Sequence, residues 1–425
     1  MLVLTTFVLL ILLIAIGMPV GFTMGIAGLV GLILFSGFDT TITYLSQISF
    51  SSVASPTLAT VPLFILMGEL VSSGGVAKDL FNAVQKFLGR IPGGVAITTV
   101  FTSAAFGSMS GSTTAAAGAL SRITMPEFRR LGYEPGLASG VVAVSGTLAI
   151  LIPPSIPMII YGVATQTSIG KLLLAGLIPG IVTAVVYIIG IIFWNKMKPG
   201  IMPKGEKYTW KEKFSSLKNL WGFAIIVGFI LYALYGGIAT PTEVAALGSL
   251  FALVFLLMMR RLNWKSFSLA LQRTLTSTAM IFVIIIGANI YAKFITLTNV
   301  ARNLLEWLTQ LNIGPWGIMC ILIVLYLLLG CVMDQIAILV ITLPITFPLV
   351  MSFGFSPIWF GVIVIKLVEI GLVTPPVGMN SFIVSGAAGV PLEKVFKGTG
   401  MMLSFEALTL IILLAFPIIT TVLVQ

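Results

Sequence analysis

Long apolar runs dominate the chain, and short polar segments separate one run from the next. An α-helix needs roughly 20 apolar residues to cross the hydrocarbon core of a bilayer, so we interpret ten of the runs as membrane spans. The predicted spans lie at about 2–16, 19–36, 60–75, 134–165, 172–194, 220–236, 242–259, 275–295, 357–385 and 400–423. This pattern predicts an all-α polytopic membrane protein.

Two further apolar segments, at about 91–121 and 315–345, do not fit as ordinary spans. Each would reach about 46 Å as a helix that rises 1.5 Å per residue, whereas two crossings of a ~30 Å core need about 60 Å. Each segment can therefore enter the membrane and turn back, but it cannot cross and return. We predict two re-entrant helical hairpins, called hairpin 1 and hairpin 2.

The two halves of the chain resemble each other at a nearly constant spacing. Gly107 in hairpin 1 matches Gly330 in hairpin 2, and "IPP" at Ile152 matches "TPP" at Thr374. Each half holds five predicted spans, and an odd number of spans inverts the second half relative to the first. We therefore predict an inverted-repeat architecture, which is common among secondary transporters. The predicted parts are a first repeat (1–200), a cytoplasmic basic linker (201–219) and a second repeat (220–425).

Three connecting segments also have predicted roles. The amphipathic segments 76–90 and 300–313 lead into the hairpins, and we interpret both as arm helices that lie along the membrane surface. Segment 38–58 is interpreted as an outer interfacial loop.

The few charged residues, 8% of the chain, fix the orientation of this scheme. If hairpin 1 opens to the cytoplasm, all but four of the 23 basic residues lie inside the cell or at its membrane face, as the positive-inside rule requires. The exceptions are Lys171, Lys293, Arg302 and Lys366. Hairpin 2 and both termini then face the outside. The net charge of +10 reflects this orientation and gives no reason to expect nucleic acid as a partner.

Composition excludes several kinds of chemistry. The chain has no histidine, so it offers neither a histidine acid–base group nor a histidine metal ligand. It has no Walker A motif and its carboxylates are isolated, so we expect neither ATP hydrolysis nor another enzymatic activity. Cys320 and Cys331 both lie in apolar runs and are interpreted as structural thiols.

Four polar or proline-rich breaks interrupt the apolar segments. Two of them, 107–114 and 330–334, lie in the hairpins, and the other two, 151–157 and 371–380, contain Pro-Pro. A broken helix exposes carbonyl groups at one stub and N–H groups at the next, which suit a cation and a carboxylate respectively. Small-residue helix packing at the glycines and simple kinks at the Pro-Pro pairs are the structural alternatives.

Ionisable residues inside the predicted membrane region are costly and therefore informative. Asp334 lies at the tip of hairpin 2, where it serves either ion coordination or the N-cap of the returning helix. Lys366 and Glu369 are three residues apart on one helical face and are interpreted as a structural pair. No arginine is expected near either hairpin tip, and Arg273 is placed at the periphery. Three glutamates are assigned to helix capping or to a partner subunit: Glu69, Glu243 and Glu406.

Four motifs of the chain resemble those of one transporter family: "PLFILMGELVSSGG", "FGSMSGSTTAAAGAL", "GTLAILIPPSIPMIIYG" and "EIGLVTPPVGMNSF". Through them, essentially the whole chain resembles the large membrane subunit of the tripartite ATP-independent periplasmic (TRAP) transporters. The resemblance implies an elevator-type, Na⁺-driven transporter of the bacterial inner membrane. It implies a small organic carboxylate as substrate, of the sialic acid or C4-dicarboxylate type. It also implies two partners, a small four-span membrane subunit and a periplasmic substrate-binding protein.

The resemblance also assigns site residues. The first sodium site would use Ser108, Ser110, Ser112, Ala149, Ile152 and Pro154. The second sodium site would use Gly330, Gly371, Thr374 and Val377, mostly through carbonyl groups. The substrate would lie between the hairpin tips, near Thr113, Ser155, Asp334 and Asn380. The family usually has glycine where this chain has Ala149, which keeps a carbonyl ligand but tightens the packing around it.

A stand-alone sodium:carboxylate symporter, with the same paired hairpins but without partner subunits, is the alternative function. A requirement for a binding protein and a four-span protein separates the two possibilities. A channel or an intramembrane enzyme is a third class. The enzyme is disfavoured because the sequence lacks a paired acid–base or nucleophile–base group.

Overall fold

The computed structural model describes residues 2–300, 302–303, 306 and 313–424, and these residues form helices and no strand. The first half contains α1 (Leu2–Ala15), α2 (Val20–Ser36), α3 (Phe38–Ser51), α4 (Thr60–Ser73), α5 (Val76–Leu88), α6 (Gly94–Ser110), α7 (Thr113–Arg130), α8 (Pro135–Ser145), α9 (Ile156–Thr165) and α10 (Ile169–Met197). The second half contains α11 (Trp210–Leu217), α12 (Trp221–Tyr235), α13 (Pro241–Met258), α14 (Trp264–Leu297), α15 (Pro315–Gly330), α16 (Gln335–Ser352), α17 (Pro357–Val373), α18 (Met379–Ala388), α19 (Leu392–Ala415) and α20 (Ile418–Thr421). Short 3₁₀ turns lie at Pro56–Ala59, Gly146–Ile150 and Lys218–Leu220. The all-α prediction is confirmed.

Six helical stretches in the described part of the chain are long and apolar enough to cross a membrane. They are Pro56–Ser73, Ile169–Met197, Pro241–Met258, Trp264–Leu297, Gln335–Ser352 and Leu392–Ala415. Five of them match predicted spans, and the sixth is the second arm of hairpin 2. The other predicted spans are shorter helices, such as α1 and α2, or helices that break in the middle. The breaks separate α8 from α9 and α17 from α18, where the Pro-Pro pairs lie.

Both predicted hairpins are helix–turn–helix units. Hairpin 1 is α6 and α7, joined by Gly111 and Ser112, and hairpin 2 is α15 and α16, joined by residues 331–334. Gly111 ends α6 with a φ of +59°, a left-handed conformation that glycine adopts without steric cost. Ser112 then caps α7, because its hydroxyl accepts a hydrogen bond from Ala115 N (3.4 Å). Gly111 and Cys331 are both buried, whereas Val332 in the turn of hairpin 2 is 58% exposed.

The hairpins are longer than predicted. Their second helices end at Arg130 and Ser352, whereas the predicted ends were about 121 and 345. The helix α7 continues past Arg122, which is exposed on its surface. The helix α16 continues past Pro344 and Pro348, although proline often ends a helix. The arms hold 16 to 18 residues, about 24–27 Å of helix. The short turns that join the two helices of each pair, and not the length, therefore identify these segments as hairpins.

The connecting segments are more helical than predicted. The predicted loop 38–58 is wrong for its first part, because α3 is helical and Thr41 supports it with a 2.7 Å bond to Gly37 O. The linker 201–219 contains the helix α11. The first predicted arm is the helix α5, and one face of it is buried. The second predicted arm, 300–313, lies largely outside the described residues.

Helix packing divides the described chain into two groups. The outer group consists of α1–α4 and α12–α14, and the hairpin group consists of α6–α10 and α15–α19. Glycines bring helices of each group into backbone contact. A Cβ on Gly28 would lie 2.7 Å from Tyr291 N, so α2 and α14 touch closely. A Cβ on Gly140 would lie 2.2 Å from the carbonyl carbon of Gly398, so α8 and α19 do the same.

The hairpin helices pack in a crossed arrangement. The first arm of each hairpin contacts the broken helix of its own half, because α6 packs on the 3₁₀ turn after α8 and α15 packs on α17. The second arm contacts the half-helix of the other half, because α7 packs on α18 and α16 packs on α9. The rings of Tyr161 in α9 and Phe347 in α16 lie 6.2 Å apart, edge to face. This crossed packing brings both hairpin tips and both helix breaks together.

Candidate substrate and ion site

Each hairpin touches the broken helix of its own half at a position without room for a side chain. A Cβ on Gly107 would lie 2.3 Å from Ala149 Cα, and a Cβ on Gly371 would lie 2.4 Å from Gly330 Cα. The sequence repeat relates the two contacts, so the same junction is built twice. Small-residue packing therefore explains these glycines, while the neighbouring hydroxyl groups need a separate explanation.

Backbone hydrogen bonds also join each hairpin turn to the segment that follows a Pro-Pro pair. Ile156 N donates to Gly111 O at 3.4 Å in the first half. Val377 N and Gly378 N donate to Cys331 O at 3.2 and 3.3 Å in the second half. The turns and the breaks are thus fixed to one another as two composite units.

A cavity of about 780 Å³ lies between the hairpin tips and the outer group. Four half-helices begin at its wall, because the first or second residue of α7, α9, α16 and α18 lines it. These residues are Thr114, Ile156, Gln335 and Met379. Helix N-termini carry roughly half a positive charge each. Those of α7, α9 and α18 favour an anion, whereas the Asp334 carboxylate already caps α16. Helices α4 and α14 of the outer group form the opposite wall.

The hydroxyl groups predicted for the first sodium site lie at the tip of hairpin 1. Ser110 Oγ is buried and has no hydrogen-bond partner within the described chain, although Ser110 borders the cavity. Ser112 also borders the cavity while it caps α7. Ser108 is turned back onto its own helix, where it donates to Ala105 O at 2.7 Å. Of the three, Ser110 is the hydroxyl most available to a ligand.

The backbone groups predicted for the same site come from the break between α8 and α9. Ala149 lies in the 3₁₀ turn that faces Gly107. The carbonyl oxygen of Pro154 faces the hairpin turn, 3.0 Å from the position of a Cβ on Gly111. The side chain of Ile152 packs against α10, so only its backbone is left for a ligand role.

The residues predicted for the second sodium site lie together at the other junction. Gly330 and Gly371 are in backbone contact there. Thr374 N donates to Gly371 O at 3.0 Å, and Thr374 Oγ1 donates to Ile370 O at 2.6 Å. Val377 is bonded to the hairpin turn, as described above. The four residues are therefore neighbours in space, as a shared site requires.

The four predicted substrate residues fall into two sets. Asp334 borders the cavity, and its carboxylate caps α16 by accepting a hydrogen bond from Ile336 N at 3.0 Å. Thr113, Ser155 and Asn380 are fully buried, and each is adjacent in sequence to a residue of the wall. Among the described residues, neither polar atom of the Asn380 side chain has a hydrogen-bond partner. Such an unpaired buried amide calls for a water, an ion or a ligand.

The prediction that no arginine lies near a hairpin tip is wrong. Arg273 borders the same cavity as Ser110 and Asp334, and it lies 3.6 Å from a carboxylate oxygen of Glu69. The predicted span began at residue 275, but α14 begins at Trp264. Arg273 therefore lies well within a helix of the outer group instead of at its edge.

A cluster of buried charges lies inside the hairpin group. Lys366 and Glu369 form the predicted pair at 3.2 Å, and Glu406 of α19 makes a second ion pair with Lys366. Glu406 also accepts hydrogen bonds from Tyr187 and, at 3.0 Å, from Thr147. All three charged side chains have no exposed surface. The assignment of Glu406 to a cap or a partner subunit is therefore wrong, because it is satisfied within the hairpin group.

Glu243 has the capping role that was one of its alternatives. Its carboxylate accepts hydrogen bonds from Thr240 N and Thr240 Oγ1, at 2.7 and 2.8 Å, and Thr240 caps α13 in return. The sequence signal for this box is a threonine followed three residues later by glutamate. No comparable local signal marks the contacts of Glu406 and Arg273.

The fold is similar to that of a solved transporter. The crystal structure of the Alcanivorax borkumensis YdaH transporter superposes with a TM-score of 0.66, at 13% identity, over 90% of each chain. At this identity the similarity concerns the fold alone.

Sequence comparison identifies the family. The profile described as "Tripartite ATP-independent periplasmic transporter, DctM component" matches residues 7–419. The C4-dicarboxylate TRAP transporter large permease protein DctM of Pseudomonas aeruginosa is 34% identical, over 94% of this chain and 92% of its own length. The sialic acid TRAP transporter large permease protein SiaM of Vibrio cholerae is 32% identical, over 96% and 95%. The chain therefore belongs to the TRAP transporter family as a large permease subunit, a multi-pass transport protein of the bacterial inner membrane and not an enzyme.

Proposed function

We propose that this permease imports a small organic carboxylate together with Na⁺. The observation that carries the proposal is the convergence of four helix N-termini on one cavity that also borders the tips of both hairpins. Helix N-termini bind carboxylates with their free N–H groups and their partial positive charge. The two relatives named above are permeases for C4-dicarboxylate and for sialic acid. Both substrates carry carboxylate groups, which agrees with such a cavity.

The charges of the cavity explain why a cation should accompany the substrate. Glu69, Asp334 and Arg273 border the cavity, so the fixed side-chain charge is negative by one unit if all three are ionised. An anionic substrate adds further negative charge. A cation held about 5 Å from the anionic group lowers the electrostatic energy of that group by about 3 kcal/mol at an effective dielectric constant of 20. Ion and substrate would then bind more tightly together than alone.

The residues at the two junctions suit Na⁺. Hard cations prefer oxygen ligands, and in transporters with broken helices the freed carbonyl groups hold Na⁺. Around hairpin 1 the donors would be Ser110 Oγ and the carbonyl groups of the break near Pro154. Around hairpin 2 they would be carbonyl groups near Gly371 and the lone pairs of Thr374 Oγ1, whose proton is given to Ile370 O. Bound there, Na⁺ would supply positive charge beside the substrate.

The transport movement that we propose is a displacement of the hairpin group along the outer group, as in an elevator. The two groups meet at α4, where a Cβ on Gly68 would lie 2.9 Å from Ser110 Cα. Gly68 places no side chain between α4 and the tip of hairpin 1 at this point. We propose the partners that the family implies, a small membrane subunit and a periplasmic substrate-binding protein. Uptake without them would instead favour the stand-alone symporter.

The proposed function is tested by uptake into proteoliposomes. The permease is reconstituted with its small membrane subunit, and its binding protein is added outside with radiolabelled succinate or N-acetylneuraminate. We expect accumulation in an inward Na⁺ gradient and none when choline replaces Na⁺. Uptake that persists in choline would contradict the sodium coupling. Uptake that persists without the binding protein would contradict the tripartite assignment.

Thr374→Val should raise the Na⁺ concentration for half-maximal uptake roughly fivefold, since loss of one ligand costs on the order of 1 kcal/mol. Thr298→Val is a matched control, because Thr298 Oγ1 also donates to the carbonyl four residues earlier (3.0 Å) but lies far along the chain from either break, at the end of α14. Both variants lose the same kind of hydrogen bond. Sodium titrations of uptake distinguish them, and equal midpoints would remove Thr374 from the proposed ligands.

A further inference from the structure

Arg273 and Glu69 face the hairpin tips from the outer group. Arg273 belongs to α14 and Glu69 to α4, and both side chains border the cavity. Their closest charged atoms are 3.6 Å apart, longer than the ~2.8 Å of a charge-assisted hydrogen bond. The Arg273 side chain is 56% exposed and that of Glu69 is 22% exposed. The pair is therefore loose and open to the cavity.

In a loose and exposed ion pair, another anion can replace the carboxylate partner of the arginine. Surface pairs of this kind contribute about 0–1 kcal/mol, so a better anionic ligand can displace Glu69 at little cost. The guanidinium group offers a planar fork that matches a carboxylate, a phosphate or a similar oxyanion in two-point contact. Arg130 is different, because it makes 2.6 Å contacts with Glu127 and Glu206. The guanidinium group of Arg130 is therefore already paired with two carboxylates.

The other charges of the cavity leave this role to Arg273. Of the described residues that border the cavity, Arg273 is the only cation. Asp334 is committed to capping α16, so Glu69 is the anion that competes for Arg273. The basic residues Arg260, Arg261 and Lys265 lie near the start of α14, which is the predicted cytoplasmic end. Arg273 therefore lies in the half of α14 that is nearer its predicted cytoplasmic end.

We propose that Arg273 is an anion-binding residue that takes the acidic group of the substrate in exchange for Glu69. This inference rests on the proposed function and adds a specific counter-charge on the outer group, opposite the hairpin tips. The substrate's anionic group pairs with Arg273 while the substrate occupies the cavity. Glu69 then returns to Arg273 and so favours release. Arg273 and Glu69 together set the preference for an anionic cargo.

The electrostatic part of the proposal is tested without knowing the substrate. A single cysteine is introduced by Ser277→Cys, at a cavity-lining position of α14, in a background carrying Cys320→Ser and Cys331→Ser. The purified permease is labelled with anionic sulfonatoethyl methanethiosulfonate or with cationic trimethylammonioethyl methanethiosulfonate. The ratio of the two rate constants reports the local potential. Adding Arg273→Gln should lower the anion-to-cation ratio roughly fivefold or more, and Glu69→Gln should raise it similarly.

A second arginine ion pair, outside the cavity, supplies the control. Arg261, in the connection between α13 and α14, pairs with Asp79 of α5, and neither residue borders the cavity. Arg261→Gln makes the same change of charge and should shift the labelling ratio by less than about twofold, because Arg261 lies outside the cavity and salt screens charges at a distance. An equal effect of Arg273→Gln and Arg261→Gln would overturn the proposal. A fivefold difference between them supports it.

Uptake separates this inference from the proposed function. With whichever of succinate or N-acetylneuraminate the wild type accumulates, Arg273→Gln should raise KM roughly tenfold, the size expected for loss of a charged contact of about 1.4 kcal/mol. Arg273→Lys should restore part of the loss, and Glu69→Gln should lower KM. An unchanged KM in Arg273→Gln would overturn the inference while sodium-driven uptake stands. If the wild type accumulates neither substrate, the proposed cargo is wrong, and the labelling ratio still decides the role of Arg273.

Discussion

Gly371→Ala should reduce sodium-dependent uptake by roughly tenfold or more, because the added methyl group forces apart a junction of two backbones. Its Cβ would lie 2.4 Å from Gly330 Cα and 2.5 Å from the carbonyl carbon of Gly330. Neither atom belongs to a flexible side chain that could move away. Hairpin 2 must shift relative to α17, and the carbonyl groups proposed for Na⁺ shift with it. Uptake and the sodium midpoint, measured as described for Thr374, report the effect.

Gly386→Ala is the matched control for this experiment. Gly371 lies in the helix before the Pro-Pro pair, and Gly386 lies in the helix after it. An added Cβ on Gly386 would have no atom within 4 Å outside its own helix. The substitution should leave uptake within about twofold of the wild type and slightly favour the helix, since alanine is a better helix former than glycine. Equal activity of the two variants would show that the close contact at Gly371 does not matter for transport.

Lys366→Met should strongly destabilise the permease, because it leaves two buried carboxylates without their common cation. Glu369 and Glu406 both pair with Lys366, and none of the three side chains is exposed. Removing one partner of a buried ion pair costs about 3–5 kcal/mol. We expect a large drop in the melting temperature of the purified protein in detergent. The exposed Lys265, replaced in the same way, provides a control that should melt like the wild type.

A charge-balanced variant tests the reason for this loss. Lys366→Met combined with Glu369→Gln and Glu406→Gln removes the cation and both carboxylates while keeping their shapes. This triple variant should melt at a higher temperature than Lys366→Met alone, because uncharged amides cost less to bury than unpaired carboxylates. If the triple variant is no more stable than the single variant, unpaired charge is not the cause of the destabilisation.

The hairpins and helix breaks could be predicted because their signals are local. Glycine and proline act on the backbone within one or two residues, so the turns at Gly111 and the breaks before Ile156 and Met379 follow from short stretches of sequence. The repeat then linked the two stretches across the chain. The residues proposed for each sodium site were assigned by the family resemblance, and they lie around these turns and breaks. Their role as ligands is a prediction that the uptake experiments test.

Other features depend on contacts that the sequence does not encode locally. Glu406 bonds to Thr147, which is 259 residues away, and no pattern within α19 indicates that partner. Asn380 is buried, whereas its neighbour Met379 borders the cavity, because each step along a helix rotates the side chain by about 100°. Arg273 was predicted to lie at the edge of a span, because the polar residues of α14 that line the cavity interrupt its apolar pattern. The apolar stretch therefore began later than the helix itself.

The crossed packing has a consequence for how the protein is made. The first half of the chain leaves the ribosome first, and domains made early generally fold first. Here α7 and α9 cannot finish packing at that stage, because the helices that cover them, α18 and α16, belong to the second half. The faces of α7 and α9 that contact α18 and α16 stay uncovered until the second half of the chain has been inserted. The first half therefore cannot complete its native packing alone, because the second half of the same chain supplies part of it.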